Sequence, residues 1–155
     1  IYDRLVGSEM CIRDRLTLFV AYPAYSVKYD KSNPTKMYSK AYKMIDKGQY
    51  SKAQKILKNY TKSEPEDPDG WTLLAFTYRK LDKFAESEEY YLKALNLEPD
   101  NKAALEYQGE LFIETNRIDL ANANIKKLQN LCPNSCEELE KLQSYLLDQS
   151  SKSNI

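Results

Sequence analysis

The chain contains no histidine. That absence removes the commonest general base and the commonest zinc ligand together. Glycine is scarce, with four in 155 residues, and none sits in a phosphate-cradling loop. Serines and threonines are scattered and have no base beside them. Adjacent carboxylates such as Glu88-Glu89 and Glu137-Glu138 point different ways on a helix and read as solvated. Apolar runs are short: the longest, near residues 16–26, falls well below the roughly 20 residues a membrane-spanning helix needs. The 23 basic and 23 acidic residues cancel, so no overall field draws the chain to nucleic acid. Neither an enzyme, a metal site, a bound cofactor, a nucleic-acid binder nor a stable membrane span is expected.

What the sequence does contain is a period of 34. Ala41, Ala75 and Gly109 form one column of small residues, Ala53, Ser87 and Ala121 a second, and Pro65, Pro99 and Pro133 a third. Large residues keep the same register: Met37, Trp71 and Leu105; Met44, Tyr78 and Phe112; Tyr50, Phe84 and Ile118. Within the central copy, Trp71, Leu74, Ala75 and Tyr78 fall at i, i+3, i+4 and i+7, one face of an α-helix. After the polar break Lys80-Leu81-Asp82-Lys83, a second helical face runs through Phe84, Ser87, Tyr91, Ala94 and Leu95. Each copy is therefore a pair of antiparallel helices. The small residues Ala75 and Ser87 let the two backbones approach, and Pro99 ends the second helix. One hairpin cannot bury both of its apolar faces, so about three stacked copies are needed for a core.

The pattern W-x2-L-A-x2-Y, then A or S, then Y-x2-A, then P is similar to the tetratricopeptide repeat family, and Trp71, Leu74, Ala75, Tyr78, Tyr91, Ala94 and Pro99 carry the match. Lys40 and Gln108 depart from it where the central copy has Leu74, as do Tyr60 and Leu128 where it has Ala94. The resemblance implies an all-α, right-handed solenoid of three helix pairs, at 34–67, 68–101 and 102–134, closed by a capping helix at 135–148. A polar tail follows at 149–155.

Ahead of the repeats, residues 1–15 are rich in arginine where the rest prefers lysine. The run Met10-Cys11-Ile12-Arg13-Asp14 resembles a translated sequencing adapter, so this stretch is set aside. Residues 16–26 resemble the back half of a signal peptide, with cleavage expected after Ser26, and 27–33 read as a linker. On that reading the protein is periplasmic or secreted; the competing reading is a cytoplasmic protein whose short apolar helix packs on the first repeat. Cys132 and Cys136 can be a disulfide, since a bend at Pro133-Asn134 brings two Cα atoms within the roughly 4.4–6.8 Å a bridge requires. Free thiols, or a redox or metal role, are the alternatives.

The family resemblance places a partner-binding groove on the first helix of each pair, at Tyr38, Tyr42, Thr72, Phe76, Arg79, Glu106, Glu110, Ile113 and Glu114. Family members that grip a terminal carboxylate use Lys, Asn and Arg in these columns, whereas this chain has Tyr38, Tyr42, Glu106 and Glu110. The expected partner is a protein or peptide segment with apolar and basic character. Charge along the chain is uneven. Residues 27–62 hold ten lysines against Asp30 and Asp46, while 63–140 hold 17 acidic and 8 basic residues. This pattern is either a set of solvated faces or a dipole that steers an anionic partner. It also raises a second functional reading, a structural subunit that self-associates as a homo-oligomer, basic first repeat to acidic later repeats.

Overall fold

The computed structural model describes residues 33–152. The adapter-like stretch, the signal-like stretch, most of the linker and the last three residues of the tail lie outside them. Seven helices follow one another, with no strand among the described residues: α1 (Pro34–Asp46), α2 (Tyr50–Ser63), α3 (Pro68–Arg79), α4 (Phe84–Leu97), α5 (Lys102–Glu114), α6 (Ile118–Leu131) and α7 (Glu137–Lys152). Helices α1 and α2, α3 and α4, and α5 and α6 form hairpins, and each hairpin packs on the next. The architecture is an all-α helical-repeat solenoid.

The 34-residue register is visible in the backbone itself. Asn33, Asp67 and Asn101 are the N-caps of the three first helices, and their side-chain oxygens accept from Thr35 N (3.0 Å), Asp69 N (3.0 Å) and Ala104 N (2.9 Å). Each satisfies a donor that the first turn would otherwise leave unpaired. The tight turns inside the hairpins carry left-handed residues at Gly48, Asp82 and Asn116, again 34 apart. These are the residue types that tolerate such a conformation. The second helices end at Glu64, Glu98 and Cys132, whose N–H groups bond to Tyr60, Ala94 and Leu128 carbonyls, each just before a proline.

Packing follows the columns. Ala41, Ala75, Ala53, Ser87 and Ala121 are fully buried, so the helices of each pair meet through their smallest side chains. The Ser87 hydroxyl, a departure from alanine, donates to the Ala75 carbonyl at 2.9 Å, which removes the penalty of burying it. At Gly109 the approach is closer still: an added Cβ would lie 2.5 Å from Leu142 Cδ2, so α7 seats on α5 only because that side chain is missing. Trp71 stacks on Tyr90 with centroids 5.8 Å apart. Its indole N–H donates to the Pro65 carbonyl at 2.7 Å, and Lys93 Nζ lies 3.9 Å over its ring.

The last helix differs from the sequence expectation at both ends. Ser135 adopts φ 78° and lies before the helix, its hydroxyl donating to Glu140. The helix then runs on to Lys152 because neither glycine nor proline interrupts Gln149, Ser150 and Ser151. The two serine hydroxyls donate back to Leu146 and Asp148 carbonyls, each at 2.8 Å.

Trp71→Ala is expected to lower unfolding free energy by about 3–5 kcal/mol through the cavity it leaves, and Ala75→Leu by about 1–3 kcal/mol through overpacking. Urea titrations of the two variants check this; two neutral results would mean the register is misassigned.

Candidate functional site

The first helices α1, α3 and α5 lie side by side and present the nine positions named from sequence. They do not form one open surface. Thr72, Arg79, Glu106 and Ile113 are buried, and Thr72 turns its hydroxyl back onto the Pro68 carbonyl at 2.9 Å. Tyr38, Phe76 and Glu110 are partly exposed, and Tyr42 is 52% exposed.

Arg79 is the clearest departure from a free groove cation. It is 1% exposed. Its Nη1 donates to Glu114 Oε1 at 2.8 Å and its Nη2 to Glu110 Oε2, so one guanidinium from α3 is neutralised by two carboxylates of α5. The Tyr145 hydroxyl donates to the same Glu114 oxygen at 2.7 Å, which brings α7 into the network. Burial works against the guanidinium charge; Tyr91, Glu110 and Glu114 outweigh it and hold the pKa above its ordinary value. Burial pushes the Tyr91 phenol up, with the neighbouring Arg79 opposing the rise.

Around Arg79 the aromatic side chains gather. Phe76 and Tyr107 lie 5.0 Å apart, and Phe76 meets Tyr50 edge-on at 6.2 Å. Arg79 lies 5.4 Å and Lys80 5.5 Å over the Phe76 ring. Tyr38 feels Tyr42 and Tyr107 electrostatically, and desolvation first, with Asp69 and Asp67 next, raises its pKa to about 12. Tyr107 and Tyr50 are not among the nine groove positions named from sequence, although Tyr50 belongs to one of the repeating columns. Their signal was available, since Tyr107 adjoins Glu106 and Tyr50 opens the second helix. At the α1 end, Tyr38 and Tyr60 line a cleft of about 540 Å³ with Glu64, Asp67 and Asp69, and the Tyr60 hydroxyl donates to Asp67 at 2.5 Å.

Glu106 has a different environment. It is buried under α7, and desolvation first, then repulsion from Glu110, Glu138 and Glu137, lifts its pKa to about 7, with Lys141 opposing. Lys141 is itself held by Glu137 at 2.6 Å. Cys132 and Cys136 are joined as a disulfide with Cα atoms 5.7 Å apart, across the bend between α6 and α7. Among the described residues, no group of three or more acidic or cysteine side chains is placed to hold a metal ion, and no helix is long and apolar enough to cross a membrane.

A helical-repeat solenoid with an aromatic and acidic first-helix face is the class these features define. Residues 68–101 match the tetratricopeptide repeat family model, so the chain carries a tetratricopeptide repeat and shares that family's fold. The first such domain of Spaghetti (RPAP3), solved with an HSP90 peptide SRMEEVD, is similar at TM-score 0.66 and 20% identity, covering 79% of this chain and 94% of that one. The Yersinia enterocolitica type III secretion chaperone SycD with a peptide of the translocator YopD gives TM-score 0.65 at 16% identity, covering 77% and 93%. The first domain of human RPAP3 gives 0.64 at 22% identity, covering 76% and 95%. Comparison with curated protein sequences yields no match.

Because the folded pKa of Glu106 lies above its ordinary value of 4.5, the native state holds an extra proton between about pH 4.5 and pH 7. Stability therefore falls as pH rises through that window. Glu106→Gln is expected to abolish the fall. It should be more stable than the parent at pH 8, by on the order of 3 kcal/mol, with no gain at pH 4; melting curves across pH check this.

Proposed function

We propose that the protein is a non-catalytic protein-interaction module whose first-helix face takes an extended segment bearing apolar and basic side chains. The observation that carries this reading is the aromatic group Tyr38, Tyr42, Phe76 and Tyr107, only partly buried and bordered by Glu110 on one side and Asp67 and Asp69 on the other. Rings left at a surface offer a partner's aliphatic side chains area to bury. They also offer its Lys or Arg a cation–π contact worth about 0.5–2 kcal/mol, and the nearby carboxylates favour the same cations. The solved relatives of like fold that hold peptides support the choice of a peptide-like partner.

The same chemistry argues against an acidic tail such as the one bound by the Spaghetti domain. The Arg79 guanidinium, the one arginine among the first-helix positions, already holds two carboxylates and has no donor to spare at the surface. A ligand carboxylate would meet Glu110 and Glu114 instead.

A peptide array of extended sequences, with hits measured by isothermal titration calorimetry, tests the proposal. Leu/Arg-rich peptides are expected to bind and Glu/Asp-rich ones to fail. Tyr42→Ala should leave the melting temperature nearly unchanged, because the ring is largely exposed, while weakening the hits by about tenfold or more, about 1.4 kcal/mol. Preference for acidic peptides, or an unaffected Tyr42→Ala variant, would overturn the assignment.

A further inference from the structure

The face that α3 and α5 bury against the preceding hairpin has a counterpart on α1, and the counterpart is lysine. Gly70 and Ala104 correspond to Lys36, Leu74 and Gln108 to Lys40, and Thr77 and Leu111 to Lys43. All six residues on α3 and α5 are buried, while Lys36, Lys40 and Lys43 are exposed. They recur at i, i+4 and i+7, one straight stripe on α1, and Lys47 follows at the cap just past its end. A polar end keeps a solenoid soluble, but solubility is served by mixed charge. Here the eight lysines of α1, α2 and their turn face the single acid Asp46 and take part in no ion pair among the described residues.

The chain's own opposite end carries the complement. On α7, Glu137, Glu140 and Asp148 are exposed and lie on the side away from the buried Leu139 and Leu142. Leu147, 70% exposed, borders them. On α1, Lys36 to Lys43 is a seven-residue step, and on α7, Glu140 to Asp148 is an eight-residue step, about 10 and about 12 Å of helix, so the two charged stretches are similar in length. Glu137 is paired with Lys141 at 2.6 Å and Glu140 accepts only the neutral Ser135 hydroxyl at 2.9 Å, so the uncompensated charge of the stripe sits on Glu140 and Asp148.

We infer that copies of this chain associate end to end, the α1 lysine stripe of one docking on the α7 acidic stripe of the next. A second copy fits better than a long polyanion, which would run on from the lysines over the acidic remainder of the molecule and be repelled. The two stripes are different surfaces, so the contact is heterologous and propagates or closes into a ring.

Sedimentation velocity of the full chain at about 20 mM and about 500 mM NaCl tests this. Species heavier than the 18.0 kDa monomer are expected at low salt and the monomer alone at high salt. Lys40→Glu with Lys43→Glu, and separately Glu140→Lys with Asp148→Lys, should each weaken association by about tenfold or more. An equimolar mixture of the two variants should associate again, since each supplies the stripe the other lacks. All four positions are exposed, and unchanged melting temperatures confirm that both variants fold. Tyr42→Ala should associate like the parent, which separates this contact from peptide binding. A monomer at every salt concentration, or association indifferent to both charge reversals, would overturn the inference. So would a monomer that cosediments with phosphatidylserine vesicles, which would assign the lysines to a lipid surface.

Discussion

A two-helix hairpin of about 30 residues has two apolar faces and can cover only one of them itself. The rest of the structure answers that constraint. The small residues at Ala41 and Ala75 lie where the two helices of a pair come close, as the Ser87 hydroxyl bonded to the Ala75 carbonyl shows, and at Gly109 the tightest approach is that of Leu142 from α7. Helix α7 buries Leu139 and Leu142 in the same core as Leu105, Phe112 and Leu128. The polar outer side of α7 is what a terminal element needs.

Apolar stacking of this kind is tolerant of sliding, because leucine and alanine fit many registers. The polar contacts between repeats are not. Arg79 reaches Glu110 and Glu114, Arg117 pairs with Glu88 through two bonds of 2.9 Å, and Asn101 holds both Ala104 N and Asp69. Each of these loses its partner if one hairpin shifts by a turn against the next. A buried charge without its partner is costly, while a buried pair is near break-even against an apolar substitute. The value of the Arg79 network thus lies in fixing how α3, α5 and α7 sit together.

The helices and their pairing were legible because the 34-residue spacing repeats in side chains that local physics reads: caps, turns, prolines and small residues. Even so, of the three left-handed turn residues only Gly48 is marked by composition, since Asp82 and Asn116 are types that fit other backbone conformations equally well. The end of α7 is illegible for a similar reason: Gln149-Ser150-Ser151 is as polar as a tail, yet nothing in it stops a helix, which runs on to Lys152. The site was less legible. A column assigns a residue to a face but not the side chain that meets it from another repeat. The partners of Arg79 lie 31 and 35 residues away, and the burial of Glu106 depends on α7, which lies outside the repeat pattern altogether.

The distribution of charge follows from where stacking stops. Wherever a hairpin face is covered by a neighbour, the columns hold glycine, alanine, leucine or a hydrogen-bonded polar group, and mutation toward charge there would strand it in the core. On α1 the corresponding positions are exposed, and Lys36, Lys40 and Lys43 stand where Leu74 and Leu111 are buried deeper in the stack. Carboxylates on the first-helix face are constrained differently. Glu110 and Glu114 serve the buried Arg79 while lying close to the aromatic side chains around it, so the same two side chains that hold the repeats in register also border that surface.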